Sequence, residues 1–235
     1  MMYMENKELS IIVPAYLEEE NLKIILPRLS SVLKEISNRC EILVVDTMIA
    51  MDCTQKVCEE NGAVYINRLG GNNYGDAIRT GISHANGQYI IFMDADGSHD
   101  PEFIKNLYQN KEGQDVVVAS RYVAGGNTDN SKLLIFMSLV VNVLYSLILN
   151  IQCKDISNSF KLYKTADIKE LKLKCNNFDV VEEIIFKLKK KKGNLHIKEL
   201  PFLFKKRMLG STKRNLFAFM LSYVVTIIKL RFMKD

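Results

Sequence analysis

The stretch YIIFMDADGSHDPEFI (residues 89–104) joins a run of strand-forming residues to three aspartates. Tyr89–Met93 is rich in aromatic and β-branched residues, which is typical of a buried strand. Asp94, Asp96 and Asp100 follow it. In an open parallel sheet, ligands bind beyond the carboxyl ends of the strands. The stretch therefore predicts a ligand site at the end of this strand.

Asp94 and Asp96 form a candidate metal site. Two carboxylates one residue apart can turn toward one point if the strand has ended between them. Without a cation they would repel each other, and one would keep its proton. Mg²⁺ or Mn²⁺ removes this conflict, since both ions take oxygen ligands and bridge substrate phosphates. The plainer interpretation is a capped turn, with Ser98 or Asp100 starting the next helix.

Short apolar runs alternate with helical patterns in the first half of the chain. Besides Tyr89–Met93, the runs typical of buried strands are Leu9–Val13, Glu41–Val45, Ala63–Ile66 and Val116–Ala119. Apolar residues at helical spacing occur in Glu19–Ile36, Thr54–Asn61, Asp76–Ala85 and Pro101–Gln109. Repeated strand–helix units predict an α/β fold with a Rossmann-like, mostly parallel sheet and helices on both faces.

The composition suits a folded cytoplasmic protein. With 235 residues, 48% of them hydrophobic, the chain can bury a sizeable core. Its five cysteines form no CxxC pair, which favours reduced thiols over a disulfide framework or a zinc site. The opening MMYMENKELS lacks the basic start and apolar run of a signal peptide.

Positive charge is concentrated toward the C-terminal end. From Lys187 to Asp235 there are 14 Lys and Arg residues against two acids, so this part carries +12 and residues 1–186 carry −7. A basic tail on an acidic body suggests an anionic partner, such as nucleic acid, anionic lipid or a phosphate-bearing substrate. For Lys189–Lys192 the plainer interpretation is a solvated helix face.

Two uncharged segments predict helices at a membrane surface. Residues 133–152 are long enough to cross a bilayer, yet Ser138, Asn142, Ser146 and Asn150 would form one polar stripe along a helix. Such a stripe suits a helix that lies at the interface or lines a polar pocket. Asn215–Ile228 is too short for an easy span and has basic flanks. Core helices and a true span remain the alternatives for both segments.

Several common active-site motifs are missing. Gly70 and Gly75 have phosphate-loop spacing, but no Lys-Ser/Thr pair follows them. The first strand ends without the glycines of a dinucleotide site. The sequence contains no GxSxG or HExxH motif, and its three histidines form no recognisable triad.

Five ordered motifs resemble family 2 glycosyltransferases, in particular the polyprenyl-phosphate sugar transferases similar to dolichol-phosphate mannosyltransferase. VPAYLEEEN (13–21) resembles VPxYNExxN, and DADGSHDPE (94–102) resembles DADxxHxPE. The other three matches are SRYVAGG (120–126), DISNSFKLYK (155–164, family DxTSGFRxYR) and ELPFLFKKRMLGSTK (199–213, family EVPIxFxxRxxGxSK). Together the motifs are specific, although each one alone would be weak.

The resemblance implies a glycosyltransferase A fold and a binding site for a nucleoside-diphosphate sugar. By motif position, the base and ribose are expected to contact Pro14, Tyr16, Glu18, Val44 and Asp46. The diphosphate and an Mg or Mn cation are expected to meet Asp94, Ala95 and Asp96, with Ser98 near the metal. The acceptor phosphate and the diphosphate are expected at Arg121, Ser138, Arg207 and Lys213, and arginine forks suit phosphate oxygens.

The chain departs from the family pattern in three places. DTMIAMDCT (46–54) stands where the family has DDxSxDGT, so Thr47 replaces the second acid. NNYGDAIRTG (72–81) is a longer glycine loop, and we expect Asp76 and Arg79 to contribute to nucleotide binding there. Leu134 stands where the lipid-phosphate enzymes have an arginine, and Lys132 is the candidate replacement.

The leading functional hypothesis is an inverting, metal-dependent glycosyltransferase that is peripheral at the inner face of the cytoplasmic membrane. Its catalytic residues would be Asp94, Asp96 and Arg121. Its partners would be a nucleoside-diphosphate sugar, a polyprenyl-phosphate or membrane-linked glycan acceptor, and the membrane surface, with no nucleic acid. Residues 1–126 are expected to form the nucleotide-sugar-binding core, and residues 127–235 the acceptor side and membrane interface of the same catalytic domain.

Alternatives remain for the chemistry and for the class of protein. A lipid phosphate needs no general base, whereas a sugar hydroxyl needs a carboxylate, for which Glu182 or Glu183 is a candidate unless the two lie on an exposed helix face. A nucleotidyltransferase would show a glycine-rich, lysine-bearing loop after the first strand, which VPAYLEEE lacks. The altered segment 46–54 favours a third alternative, a membrane-associated scaffold with a degenerate transferase fold.

Overall fold

The computed structural model describes residues 7–210 and 225–232. The first half of the chain forms β1 (Leu9–Pro14), α1 (Glu19–Ile36), β2 (Cys40–Asp46), α2 (Thr54–Glu60), β3 (Val64–Asn67), α3 (Tyr74–His84), β4 (Tyr89–Phe92), α4 (Phe103–Gln109) and β5 (Val116–Ser120). The second half forms β6 (Asn127–Thr128), α5 (Lys132–Leu149), β7 (Lys161–Lys164), α6 (Thr165–Lys169), α7 (Val180–Lys192), β8 (Ile197–Pro201) and β9 (Leu203–Phe204). Residues 225–232 are also helical.

The main sheet has seven strands in the order β3-β2-β1-β4-β7-β5-β8. All neighbouring pairs are parallel except those of β7, which runs antiparallel to both β4 and β5. The five predicted strands all form, and the predicted mostly parallel sheet is confirmed. The short strands β6 and β9 pair in a separate two-stranded sheet.

Helices cover both faces of the sheet, as predicted, because alternate strand residues point to opposite sides. On one face, Ile11 and Val44 belong to a core with the buried residues of α1, α2 and α4. On the other face, Ile12 and Val45 belong to a core with α3, α5 and α7. Each face thus buries its own apolar cluster, and the strand ends remain available for a site.

Two helices begin at residues other than those predicted. Helix α3 begins at Tyr74 rather than Asp76, because Asn73 caps it and Asp76 completes a capping box with the Asn73 backbone. Helix α4 begins at Phe103 rather than Pro101. Asp100 and Pro101 instead form a turn, in which the Asp100 carbonyl accepts a hydrogen bond from the Phe103 amide.

Strands β7 and β8 were not predicted. In β7 a fully buried lysine, Lys161, interrupts the apolar run, so the segment lacks the pattern of a buried strand. Both strands lie after residue 126, and β7 inserts between β4 and β5. The second half of the chain therefore completes the sheet that the first half begins.

Helix α5 forms within the predicted segment and places its polar stripe against the protein. Asn142 is 1% exposed, and its side chain donates to the Ser138 carbonyl at 2.9 Å and to the Ser157 hydroxyl at 3.0 Å. The Ser146 hydroxyl donates to the carbonyl of Ile151 at 2.8 Å, and Asn150 ends the helix in the left-handed conformation. Of the predicted second helix, residues 225–228 are described and helical, and 215–224 lie outside the described residues.

Candidate active site

The carboxylates after β4 lie at the carboxyl end of the sheet, as the opening stretch predicts. An Asp94 carboxyl oxygen accepts hydrogen bonds from the Tyr74 hydroxyl at 3.3 Å and the Ser159 hydroxyl at 3.1 Å. An Asp96 oxygen accepts from the amide and the hydroxyl of Ser98, at 3.0 and 2.6 Å. Each carboxylate is therefore oriented by neighbours that donate to it.

His99 holds the backbone of Asp94 from the buried side of the site. Its ring is fully buried and stacks on Phe160 with centroids 4.6 Å apart. Nδ1 accepts the Asp94 amide at 3.0 Å, so Nε2 carries the proton and donates to the side-chain oxygen of Asn158 at 3.2 Å. Burial lowers the pKa of His99, against the opposing charges of Asp94 and Asp96. A neutral ring thus holds the Asp94 backbone in place.

The segment 205–210 closes over the turn. The Met208 amide donates to the Asp96 carbonyl at 2.9 Å, and the Lys205 amide donates to the Ser98 carbonyl at 3.1 Å. Gly97 has φ +82°, and a Cβ there would lie 2.2 Å from the Met208 sulfur, so only glycine fits between the two segments.

Arg207 joins two carboxylates across the site. Its guanidinium donates to Glu18 and lies 3.4 Å from the second carboxyl oxygen of Asp96. Asn21 donates to the other Glu18 oxygen at 2.6 Å. Burial raises the pKa of Glu18, and the hydrogen bonds from Arg207 and Asn21 oppose that rise. A cationic group therefore already lies where Glu18 and Asp96 converge.

The donor set at this position fits a divalent cation. Within residues 7–210 and 225–232, no cluster of three or more acidic, histidine or cysteine side chains could hold a metal by itself. Mg²⁺ and Mn²⁺ do not need such a cage when one or two carboxylates are combined with substrate phosphates and waters. Asp94 and Asp96 supply those carboxylates, and the Ser98 hydroxyl, bound to Asp96, lies beside them.

The predicted base and ribose contacts lie at the ends of β1 and β2. Pro14 ends β1 and Tyr16 is 42% exposed beside it. Leu17 has φ +56°, an unusual backbone conformation for a non-glycine residue, and it directly precedes Glu18. Asp46 is 1% exposed, and one of its carboxyl oxygens is buried without a hydrogen-bond partner among the described residues. This acceptor would suit an N–H donor of a ligand.

A buried arginine that the sequence analysis did not single out organises the same region. Arg68 is 4% exposed, and its fork donates only to backbone carbonyls in the described contacts. These acceptors belong to Asp46 (2.9 Å), Asn72 (3.0 Å), Asn73 (3.1 Å), Val45 (3.3 Å) and Ala15. Arg68 thereby joins the ends of β1 and β2 to the loop before α3.

Other predicted nucleotide contacts lie in structural positions. Val44 is fully buried in the core beside α1, and Ala95 is 3% exposed, so their side chains support the strand ends. Asp76 completes the α3 cap and pairs with Arg79 at 2.6 Å. Arg79 also donates to the Cys175 carbonyl at 2.5 Å. Arg79 thus joins α3 to the segment before α7. Nucleotide contacts from Asp76 and Arg79 stay a prediction.

Arg121, which is predicted to contact the acceptor phosphate, is tightly held by a buried aspartate. Asp155, which is 0% exposed, accepts from the Arg121 amide and Nε at 2.8 Å each and from Nη2 at 2.6 Å. Ser157 accepts from the same guanidinium at 3.0 Å and contacts Asn142 of α5. Ser138, one turn before Asn142, lies on the same stripe. Lys213 lies outside the described residues.

A cavity of about 410 Å³ lies between α5 and the segment after it. It is lined by Tyr122, Leu139, Asn142, Val143, Ser146, Leu147, Cys153 and Lys154. The α5 stripe and Lys154 contribute polar groups to this lining, and the α5 leucines and valine contribute apolar ones. Tyr122, which directly follows Arg121, is one of the residues that line the cavity.

The two candidate general bases are not on an exposed helix face. Glu183 is fully buried, accepts the amides of Lys174 and Cys175, and pairs with Lys187 at 3.0 Å. Glu182 is also fully buried, and burial raises its pKa to about 8. Neither carboxylate is available at the surface of the site for an acceptor hydroxyl.

The resemblance places the segment Asp155–Tyr163 at the site, but the sequence analysis gave no individual role to Asp155, Asn158, Ser159, His99 or Tyr74. The first three lie in DISNSFKLYK and His99 lies in DADGSHDPE, so those quoted motifs held the signal. Tyr74 lies in the altered glycine loop, and nothing in the sequence indicates that its hydroxyl reaches Asp94.

Comparisons with known proteins find relatives by sequence. A family model described as Glycosyl transferase family 2 matches residues 10–172. The dolichol-phosphate mannosyltransferase of Pyrococcus furiosus is 30% identical over 214 residues, which cover 88% of this chain and 59% of that protein. An undecaprenyl-phosphate 4-deoxy-4-formamido-L-arabinose transferase of Serratia proteamaculans is 33% identical over 117 residues, which cover 47% of this chain and 36% of that protein. The chain thus spans less than two thirds of the length of either relative.

Solved structures share the fold. Glucosyl-3-phosphoglycerate synthase from Mycobacterium tuberculosis, in complex with Mn²⁺, UDP and phosphoglyceric acid, matches with a TM-score of 0.74 at 16% identity, covering 97% of this chain and 80% of that one. A second mycobacterial protein matches with a TM-score of 0.77 at 15% identity, covering 97% and 76%. The predicted glycosyltransferase A fold is therefore confirmed. Because the family model spans more than half of the sequence, the chain belongs to Glycosyl transferase family 2.

Proposed function

We propose that the protein is an inverting, metal-dependent glycosyltransferase that moves a sugar from a nucleoside-diphosphate sugar to a polyprenyl phosphate. The observation that carries this proposal is the bridge of Arg207 between Glu18 and Asp96, beside Asp94 at the end of β4. It combines carboxylates for a cation with a guanidinium for phosphate oxygens, which is what a leaving nucleoside diphosphate requires. The likeness of the fold to a synthase that was crystallised with Mn²⁺ and UDP supports the donor class.

In this proposal each charged group has a defined task. When bound, Mg²⁺ or Mn²⁺ neutralises charge that develops on the leaving diphosphate. Asp94 and Asp96 hold the cation, and Arg207 turns from Asp96 toward the diphosphate oxygens. Arg121, held by Asp155, lies on the acceptor side, where a guanidinium attracts an anionic oxygen.

A phosphate acceptor is favoured over a sugar hydroxyl. A phosphate oxygen is already ionised at neutral pH and needs no carboxylate to take its proton. This agrees with the burial of Glu182 and Glu183, the two carboxylates considered for that task. The two relatives, a dolichol-phosphate and an undecaprenyl-phosphate enzyme, support the same acceptor class.

We infer that the protein acts while bound to the surface of a membrane, at the cytoplasmic face. Among the described residues, one helix, Lys132–Leu149, is long and apolar enough to cross a bilayer. Its Asn142 stripe packs on the protein, whereas Leu133, Phe136, Val143 and Leu147 are 54–73% exposed. The exposed face would enter the lipid, and the neighbouring basic residues would attract anionic headgroups.

A transfer assay tests the proposal. Purified protein is incubated with Mn²⁺, a panel of UDP and GDP sugars, and undecaprenyl or dolichyl phosphate in detergent, and labelled sugar is measured in the organic phase. We expect transfer with at least one pair and loss of at least about 100-fold in Asp96→Asn. Asp115→Asn is the control, because Asp115 pairs with Lys192 at the opposite end of β5.

Three outcomes would contradict the proposal. Unchanged turnover in Asp96→Asn would remove the metal assignment. Conversion of the nucleotide sugar and added pyrophosphate to a nucleoside triphosphate and sugar 1-phosphate, with no transfer to lipid, would indicate a nucleotidyltransferase. An absence of both transfer and Mn²⁺-linked nucleotide binding would favour a scaffold.

A further inference from the structure

The buried lysine of β7 is the starting observation. Lys161 is 0% exposed, and its ammonium donates to the Ile156 carbonyl at 2.7 Å and to the Asn158 carbonyl. Burial lowers the pKa of Lys161, because an ammonium loses its hydration in the interior. An apolar residue would fill a buried strand position at a lower desolvation free energy. The presence of a lysine there suggests that its hydrogen bonds have a function.

Both acceptor carbonyls belong to one short segment, residues 155–159, which we call the coupling loop. Its side chains contact three parts of the candidate site. Asp155 binds Arg121, Asn158 binds His99, and Ser159 donates to Asp94. Outside the helices and strands, none of the described backbone–backbone hydrogen bonds involves this loop, and the amides of Asp155 and Ser157 donate to side chains instead. The position of its carbonyls therefore sets the position of these side chains.

A buried carboxyl group interacts electrostatically with the ammonium, although burial raises the pKa of that carboxyl. Glu182, at the start of α7, is fully buried, and neither of its carboxyl oxygens has a hydrogen-bond partner among the described residues. The charge of Lys161 favours the ionised form of Glu182, and the charge of Glu182 favours the ammonium form of Lys161. Asp155 also favours the ammonium form. Cys153, Asp155 and Glu182 thus favour the ammonium form, against the burial that lowers the pKa of Lys161.

We propose that Lys161 is a positioning residue: by donating to two carbonyls of the coupling loop, it fixes the orientation of Asp94 and Arg121 relative to each other. Lys161 touches neither substrate nor metal in this arrangement. The inference rests on the proposed function for its catalytic consequence, whereas the effect on the loop is independent of any ligand.

Two measurements test the proposal, with a matched control. Lys161→Met removes the donor and keeps the length of the side chain. Lys187→Met is the control, since Lys187 is also buried, donates to a backbone carbonyl, that of Lys172, and lies outside the site. Hydrogen exchange of the ligand-free proteins reports on the amides of Arg121, Asp155 and Ser157, which donate to side chains in or near the loop.

We expect faster exchange of these three amides in Lys161→Met but not in Lys187→Met. In the transfer assay we expect kcat to fall about tenfold or more, because small misplacements of reacting groups slow a reaction strongly. The Mn²⁺ concentration for half-maximal rate should rise, and the donor KM should change less. Lys161→Arg, which keeps donors at this position, should recover part of kcat. If Lys161→Met does not fold, Lys161→Gln is measured in its place with the same expectations.

The outcomes distinguish a failure of the proposed role of Lys161 from a failure of the proposed function. Unchanged exchange in the loop overturns the proposal. Equal losses of Tm in the two Met variants, with an unchanged kcat and Mn²⁺ requirement, also overturn it, since Lys161 would then only stabilise the fold. If the wild type shows no transfer and no nucleotide binding, the proposed function has failed, and the exchange measurement alone decides whether Lys161 holds the loop.

Discussion

At the scale of single residues, the candidate site joins charges that lie far apart in the sequence. Arg207 and Glu18 are separated by 189 positions, yet their side chains form an ion pair against Asp96. Arg121 reaches Asp155 across 34 positions. In both pairs an arginine fork meets a carboxylate at short range, so the geometry depends on the shape of the fork as well as on its charge.

Replacing Arg207 by lysine tests the need for that shape. Lysine keeps the charge but loses the planar fork, so we expect Arg207→Lys to lower kcat/KM about 10- to 100-fold, which corresponds to about 1.5–3 kcal/mol for a hydrogen bond to a charged group. The measurement is steady-state transfer at saturating Mn²⁺. Lys206→Ala is the control, because Lys206 is exposed on the same segment. Normal kinetics in Arg207→Lys would place Arg207 outside the reaction.

The burial of Asp46 predicts that its carboxylate lowers the stability of the fold at neutral pH while it contributes to nucleotide binding. Burial raises the pKa of Asp46. Its carboxyl therefore stabilises the fold most when protonated, below its unfolded pKa of about 3.9, and this contribution is lost as the pH rises through the folded pKa. We expect Asp46→Asn to raise Tm at about pH 7.5, with a difference that shrinks toward about pH 4, and to weaken nucleotide binding.

Asp115 supplies a control of opposite sign. Burial would raise its pKa, but hydrogen bonds from Lys192 and the His196 amide lower it overall. Its contribution is present above the unfolded pKa and is lost as the pH falls. Asp115→Asn should therefore lower Tm near neutral pH. A lower Tm for Asp46→Asn at neutral pH would show instead that the Asp46 carboxylate stabilises the fold.

At the scale of elements, α5 has two different faces. One face holds Asn142 and Tyr145, which are at most 1% exposed and contact the protein. The other face presents Phe136 and Leu147, which are 64% and 73% exposed. A soluble core helix would bury such residues, so the exposed face favours contact with lipid.

A double substitution on α5 tests that contact. Each large apolar side chain that enters lipid contributes about 1.5–3 kcal/mol. We expect Phe136→Ser with Leu147→Ser to weaken sedimentation with phosphatidylglycerol vesicles by about 100-fold or more, at unchanged Tm. Ile24→Ser, on the exposed side of α1, should bind like the wild type. Equal binding by the double variant and the wild type would exclude α5 as the membrane contact.

At the scale of the whole molecule, connectivity limits how the chain can meet a membrane. Asp94 and Asp96 precede α5, whereas Ser159 and Arg207 follow it. Ser159 donates to Asp94 and Arg207 lies against Asp96, so both sides of α5 belong to one site. If α5 crossed a bilayer, these residues would lie on opposite sides of it.

We therefore expect this chain to leave membranes on washing. High salt should weaken the attraction of its basic residues for anionic headgroups, and alkaline carbonate should release the protein. Fractionation with carbonate extraction, followed by protease treatment from each side, measures both. Retention after carbonate together with cleavage on both faces would falsify surface binding.

The sequence by itself determined the first five strands, helices α1 to α4, and the carboxylates after β4. These features are local: apolar runs, helical spacing and turn residues are visible within a few positions. The polar stripe of α5 was visible for the same reason, since helical periodicity places Asn142 and Ser146 on one face. The quoted motifs added the family and the order of the site segments.

Only the tertiary structure decided how these segments meet. Strand β7 was hidden because Lys161 interrupts its apolar run, and its place between β4 and β5 depends on long-range pairing. The burial of Glu182, the backbone contacts of Arg68 and the bridge from Arg207 to Glu18 likewise depend on neighbours that are distant in sequence. A charged residue in a sequence is expected to be exposed. Only the packed fold supplies the carbonyls and carboxylates that allow it to be buried.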